Sequence, residues 1–216
     1  MSESFDEPQR PPHEPMFNAP WPALLLAVSI LVLFFFQSRL PEAAWAAYVL
    51  KPAEVMQGGR WEELVTPLFL HGNWAHALMN AVAALAFGAP VARLLGLRGG
   101  ALVFFVFYLV CGVLSSLGYV LANPAEVIPV VGASGAVSGL MGAASRLVDR
   151  HGRLGPLISR TTVGMAAAWV IVNLLVGYVP IMPGAEGAGI AWQAHVAGYF
   201  AGLLLIGPLA RVTRRA

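Results

Sequence analysis

The sequence predicts an all-α polytopic membrane protein of six transmembrane helices, on three observations. Its 216 residues are 58% hydrophobic and 11% charged, where a soluble domain carries about 25% charged residues. Apolar runs persist for a membrane's width instead of alternating with polar faces. Ala23 to Phe36 is broken only by Ser29, and Ala101 to Ala122 contains no charge; runs of roughly 20 residues are long enough to cross a hydrocarbon core. The basic residues gather at the ends of these runs and in alternate connections, as they do when a chain crosses back and forth.

The chain opens on MSESFDEPQRPPHEPMFNAP, which is polar, Pro-rich and net acidic. Residues 1–20 are expected to be a disordered cytoplasmic tail and not a signal peptide, which would begin with a basic region. The spans follow as Trp21–Gln37, Ala75–Leu95, Ala101–Leu121, Ser134–Val148, Thr161–Val179 and Trp192–Ala210. They make one domain over 21–210, ahead of a basic cytoplasmic tail at 211–216. The connection from Arg39 to Asn73 is long, and its AAWAAYVL and RWEELVTPLFL mix aromatics with charge, a composition suited to the membrane interface. The connections containing NPAE and PGAEGAG are turn-rich. Cys111 sits within LVCGVL, where a lone thiol packs and neither bridges nor binds metal.

Charge sets the orientation. Arg93 and Arg98 follow the second span, Arg146, Arg150, Arg153 and Arg160 follow the fourth, and Arg211, Arg214 and Arg215 follow the sixth. With Arg10 they lie on one side, against Arg39, Lys51 and Arg60 on the other. The positive-inside rule then places both termini in the cytoplasm, and only an even number of spans preserves the alternation. A net charge of +2 gives no reason to expect a nucleic-acid partner.

Ionisable side chains inside spans are few, and such residues are costly enough to carry function. HGNWAHALMN opens the second span with His71, His76 and Asn80, the last two sharing a helix face. Ser134 opens the fourth span and His195 lies near the start of the sixth. At about 1.5 Å per residue, Ser134 stands roughly 18 Å above Arg146, Asn80 roughly 20 Å and His76 about 25 Å above Arg93, and His195 about 24 Å above Arg211. All four fall at one level, nearer the outer face. The fourth span is too short to cross alone, so the segment before it is expected to dip into the membrane and line a cavity open to the outer face.

The small residues of VVGASGAVSG belong to the same pattern. Gly135 and Gly139, then Ser138 and Gly142, and on the last span Ala194, Gly198 and Gly202, repeat at intervals of four. Such faces let membrane helices approach closely, as a serine and a histidine on separate helices must if they are to share a proton. Gly132 and Gly135 flank Ser134, where a nucleophile needs a tight, open backbone path. Ser134 as nucleophile, His195 as base, and the Ser134 N–H, His76 and Asn80 as donors to an oxyanion make a set suited to acyl transfer. No Asp or Glu lies in any span. The simpler reading is therefore a Ser–His dyad without a buried carboxylate, although Glu126 or Glu186 from an outer loop remains open as a third member. Against this, a lone Ser–Gly at a membrane helix start is ordinarily packing; the conjunction of three motifs at one depth is what separates the two readings.

LFLHGNWAHALMN, GASGAVSG and AHVAG together resemble the rhomboid intramembrane serine proteases, over the stretch from Trp21 to Ala210. The resemblance implies a six-helix rhomboid fold, with Ser134 as nucleophile, His195 as general base and His76 and Asn80 as oxyanion partners. It makes His71 structural and requires no metal or cofactor. It implies transmembrane proteins as substrates, cut near the outer face, in a bilayer that small size and a minimal core suggest is a bacterial inner membrane; it leaves the oligomeric state open. Two departures stand out. The family's Trp-Arg pair in the first outer loop falls on Glu62 and Glu63, with Arg60–Trp61 displaced upstream, and the Tyr that in some members packs on the histidine is Ser138. His195 must then be held some other way. The alternatives are a non-catalytic rhomboid-like protein that binds and routes membrane helices, and a small transporter, which would want paired acids or broken helices in corresponding halves.

Overall fold

In the computed structural model, described over residues 18–97, 99–150, 152–178 and 191–213, a short helix stands at the centre of longer ones. The helices are α1 (Trp21–Gln37), α2 (Pro52–Gly58), α3 (Trp74–Leu95), α4 (Gly100–Ala122), α5 (Ser134–Ser145), α6 (Arg160–Tyr178) and α7 (Trp192–Thr213). Helices stand wherever the apolar runs predict them, and α2 is added within the long connection after α1. By length and composition, α3, α4, α6 and α7 can cross a membrane, while α1 is a shorter apolar helix. The protein is an all-helical integral membrane protein. The expected acidic tail up to residue 17, with Arg10 and His13, lies outside the described residues, as do Arg98, His151, Glu186, Arg214 and Arg215.

α5 is only 12 residues long, and all but Ser134 and Met141 are buried. At 1.5 Å per residue it rises about 18 Å, well short of a hydrocarbon core. It ends at Ser145 and not at Val148, because the Arg146 guanidinium turns back into the chain that follows. Its Nε and Nη2 donate to Gly155 O at 3.2 and 2.9 Å and its Nη1 to Leu203 O at 3.2 Å, and Gly155 N donates to Arg146 O at 2.7 Å.

The expected small-residue faces meet between α5 and α7. A Cβ at Gly198 would lie 2.1 Å from Gly135 O, and one at Gly202 only 1.8 Å from Gly139 O. Any side chain there would force the helices apart, so glycine is required by contact and not by φ. α4 closes the third side, where Ser115 Oγ, buried, donates to Ala194 O at 2.7 Å. In lipid, where apolar burial drives little association, such backbone approach and interhelical hydrogen bonding hold helices together.

α1 packs on α3 through Ala23, Leu26, Ala27, Ile30 and Phe34, one face at helical spacing, and leaves Leu24, Val28, Val32, Phe35 and Phe36 exposed. α6 is the peripheral helix: Thr162 and Asn173 are its only buried residues.

The connection between α1 and α3 folds over the segment that leads into α5. Leu50 and Val130 exchange both backbone hydrogen bonds at 2.9 Å, Ala53 N donates to Glu126 O at 3.0 Å, and Gly132 N donates to Pro67 O at 3.0 Å. Glu63 locks this connection internally. Its side chain is 1% exposed, its Oε2 accepts from Lys51 N at 2.9 Å, and its Oε1 lies 2.9 Å from Arg60 Nε. The displaced Arg60 and the two glutamates thus form an ion cluster with Glu54. Burial raises the Glu63 carboxyl above its usual range, and the Lys51 N–H and Arg60 oppose that rise.

Candidate active site

Ser134 is the first residue of α5. The backbone reaches it through Gly132, whose φ of 130° is open only to glycine. A Cβ there would sit 2.8 Å from His76 Nε2 and 3.6 Å from Ser134 Oγ. Gly132 therefore clears a space one methyl wide between the serine and His76. α5 has no side-chain cap, and its first helical bond runs from Val137 N to Ala133 O. The N–H groups at its start precede the helical ladder and face the same end as the Ser134 hydroxyl.

The close approach of α5 and α7 brings His195 to Ser134. Its Nε2 lies 2.8 Å from Ser134 Oγ, although 61 residues separate the two in the chain. Its Nδ1 lies 2.9 Å from Asn173 Oδ1 on α6. Trp169, one turn earlier on α6, brings its Nε1 to 3.5 Å from His195 O and stacks on Tyr199 with ring centroids 6.2 Å apart. The Ser138 hydroxyl donates to Ser134 O at 2.7 Å.

His76 stands in the first turn of α3, whose N-cap is Asn73: Oδ1 accepts from His76 N at 2.8 Å. His76 Nδ1 accepts a long 3.5 Å bond from Gly72 N. With Nδ1 accepting, the ring proton of neutral His76 belongs on Nε2, the nitrogen beside the cleared space. Asn80 is buried one turn below and donates from Nδ2 to His76 O at 2.9 Å, which leaves it one further amide hydrogen. Ser134, His76 and His195 are half-buried, so this cluster keeps some access to its surroundings.

His71 has a different environment. It is 1% exposed, with its ring edge-on to Phe34 and to His76. Gln37 holds its backbone at both ends, Nε2 donating to His71 O and Oε1 accepting from His71 N, each at 2.9 Å. Burial, reinforced by His76, lowers its pKa to about 3. Its buried, uncharged ring is suited to packing. Gly135 and Gly198 are helix-contact positions. Cys111 is buried against Gly139. Among the described residues no three His, Cys, Asp or Glu side chains cluster as metal ligands would.

Asn173 and Trp169 do not figure among the sequence-predicted site residues, because the asparagine in WVIVNLLVG has no histidine or second motif beside it in the chain. An uncharged polar residue in the middle of an otherwise lipid-exposed helix was the available signal.

A family profile described as a Rhomboid domain matches residues 58–212. The chain is 26% identical over 182 residues to "Putative rhomboid protease YdcA" of Bacillus subtilis, covering 84% of each chain. It is 30% identical over 123 residues to Rhomboid protease GluP of the same organism, covering 56% of this chain and 23% of that one. RHOMBOID-like protein 5 of Arabidopsis thaliana is 30% identical over 161 residues, covering 70% of this chain and 46% of that one.

Proposed function

The chain belongs to the rhomboid family, and on that premise we propose that it is an intramembrane serine endopeptidase whose nucleophile is Ser134 and whose general base is His195. The observation that carries the proposal is the 2.8 Å contact between Ser134 Oγ and His195 Nε2, within the reach that proton transfer requires. As Oγ attacks a substrate carbonyl carbon, Nε2 takes its proton. The oxyanion that forms lies beside the helix start and accepts from the Ser134 N–H, from His76 Nε2–H and from Asn80. Collapse breaks the C–N bond, and the departing amine takes the proton from His195. Water then attacks the acyl-enzyme and gives a proton to His195, and the acid product leaves as Ser134 regains its hydrogen.

The substrates in this reading are transmembrane segments of other proteins, reached through the bilayer. A helical substrate hides its carbonyls in hydrogen bonds, so the bond to be cut must first be unwound, and Gly or Pro nearby lowers that cost. The full reading has six spans over 21–210, both termini cytoplasmic as the arginine distribution requires, and a bacterial inner membrane as its setting.

Cleavage of a generic transmembrane substrate by purified protein in liposomes tests the assignment. Wild type is expected to cut, and Ser134→Ala and His195→Ala each to lose about 10⁴-fold or more in kcat. Cleavage surviving Ser134→Ala would place the nucleophile elsewhere. A wild type that neither cleaves nor reacts with a fluorophosphonate at Ser134 would favour a non-catalytic member that binds membrane helices.

A further inference from the structure

We propose that Asn173 is the positioning residue of this site, fixing the ring tautomer of His195 and making α6 a working part of the catalytic unit. The inference rests on the assignment of His195 as base. It begins with the orientation of the Asn173 amide. Nδ2 lies 2.9 Å from Trp169 O, and a backbone carbonyl can only accept, so the NH2 group must face it. The opposite orientation would set two oxygens against each other. Oδ1 then faces His195 Nδ1 at 2.9 Å, and Oδ1 too can only accept. The hydrogen therefore sits on Nδ1, and Nε2 presents its lone pair to the Ser134 hydroxyl at 2.8 Å. One carbonyl on α6 thus determines, through an amide and an imidazole, which nitrogen is free to act as base.

The placement of Asn173 supports this role over packing. α6 leaves Val163, Ile171, Val172 and Leu175 exposed, yet it buries Asn173 to 5% exposure on the α7 side. A helix that needed only to pack would bury an apolar residue there. A neutral amide orients the ring without adding a buried charge, which in this setting is expensive when unpaired; a carboxylic acid does the same only in its protonated form. The orientation also depends on α6 staying seated, because displacement by more than about 1 Å takes an N···O contact of 2.9 Å beyond hydrogen-bond range.

The test compares Asn173→Asp with Asn173→Leu in the full-length protein in liposomes. The readouts are kcat and KM on a transmembrane substrate, the rate of fluorophosphonate labelling of Ser134, and ¹⁵N spectra of the His195 ring assigned by difference from His195→Ala. Positioning predicts that Leu lowers kcat and labelling together by about 10- to 100-fold with KM within about 2-fold. It predicts that Asp, which as the neutral acid can donate its O–H to Trp169 O and keep an acceptor toward Nδ1, recovers most of that loss, and that wild-type Nδ1 carries hydrogen while Nε2 does not. A purely structural role predicts the reverse order, since Leu suits a buried membrane position and a carboxylate does not. Leu matching wild type, or Asp falling below Leu, would overturn the proposal. The wild-type ring spectrum needs no variant of Asn173, so Nε2 protonated in resting enzyme would overturn it even if the Leu protein failed to fold. If wild type itself does not label, the assignment of the dyad fails and this inference with it; if wild type labels and Leu labels equally fast, only the inference fails.

Discussion

Gly132 and His76 act at the same small space. Gly132→Ala would place a methyl 2.8 Å from the His76 ring at a φ of 130°, a conformation that costs a side chain about 1–3 kcal/mol. The expected result is loss of fluorophosphonate labelling with a modest fall in thermal stability, read on one purified sample by gel and by thermal unfolding. His76→Ala removes a donor without disturbing the serine–histidine contact. It should reduce kcat by about 10²- to 10³-fold with KM little changed, the pattern of an interaction made only in the transition state. Equal losses through KM would instead make His76 a substrate-binding residue.

At the scale of elements, the α5–α7 contact and the α1–α3 connection do separate jobs. Gly202 meets Gly139 O at a distance no side chain tolerates, so Gly202→Val must push α7 away from α5. Overpacking of this kind costs about 1–3 kcal/mol. Because α7 carries His195, labelling of Ser134 should fall along with the unfolding temperature. A stable Gly202→Val protein with full labelling would mean that the histidine is positioned by α6 alone. In the connection, Glu63→Ala removes the group that Lys51 N–H and Arg60 converge on. Arg60 keeps its pairing with Glu54 and Glu62, so the expected cost is about 1–3 kcal/mol, and limited proteolysis should find new cuts between residues 38 and 73. Of the two adjacent glutamates, Glu63 is therefore the anchor of the connection, while Glu62 stays exposed beside Arg60.

The whole molecule should respond to acid through His71. Its pKa is near 3 when folded, against the usual 6.5, so the unfolded chain binds the extra proton throughout that interval. A group depressed in this way contributes stability that is full above about pH 6.5 and is lost as the pH falls toward 3. The unfolding temperature of wild type in detergent should drop across that window more steeply than that of His71→Leu, which has no proton to gain. Parallel curves would mean that His71 is already solvated in the folded state.

The places of the helices and the small-residue faces could be read from the sequence. They follow from local rules: a 1.5 Å rise per residue, the cost of charge in lipid, and the spacing that brings glycines onto one face. The family resemblance raised the question of what holds His195 where Ser138 stands. The sequence could not identify the support, because Asn173 meets His195 only when α6 packs on α7, and no rule of spacing links residues 22 apart on different helices. The same holds for Glu63, which the sequence marks only as a charge near an interface and which becomes a buried anchor once the chain folds around it. Depth and periodicity are properties of single helices and can be counted along the chain. The choice of partner for a polar group is a property of helix pairs, and only the tertiary packing decides it.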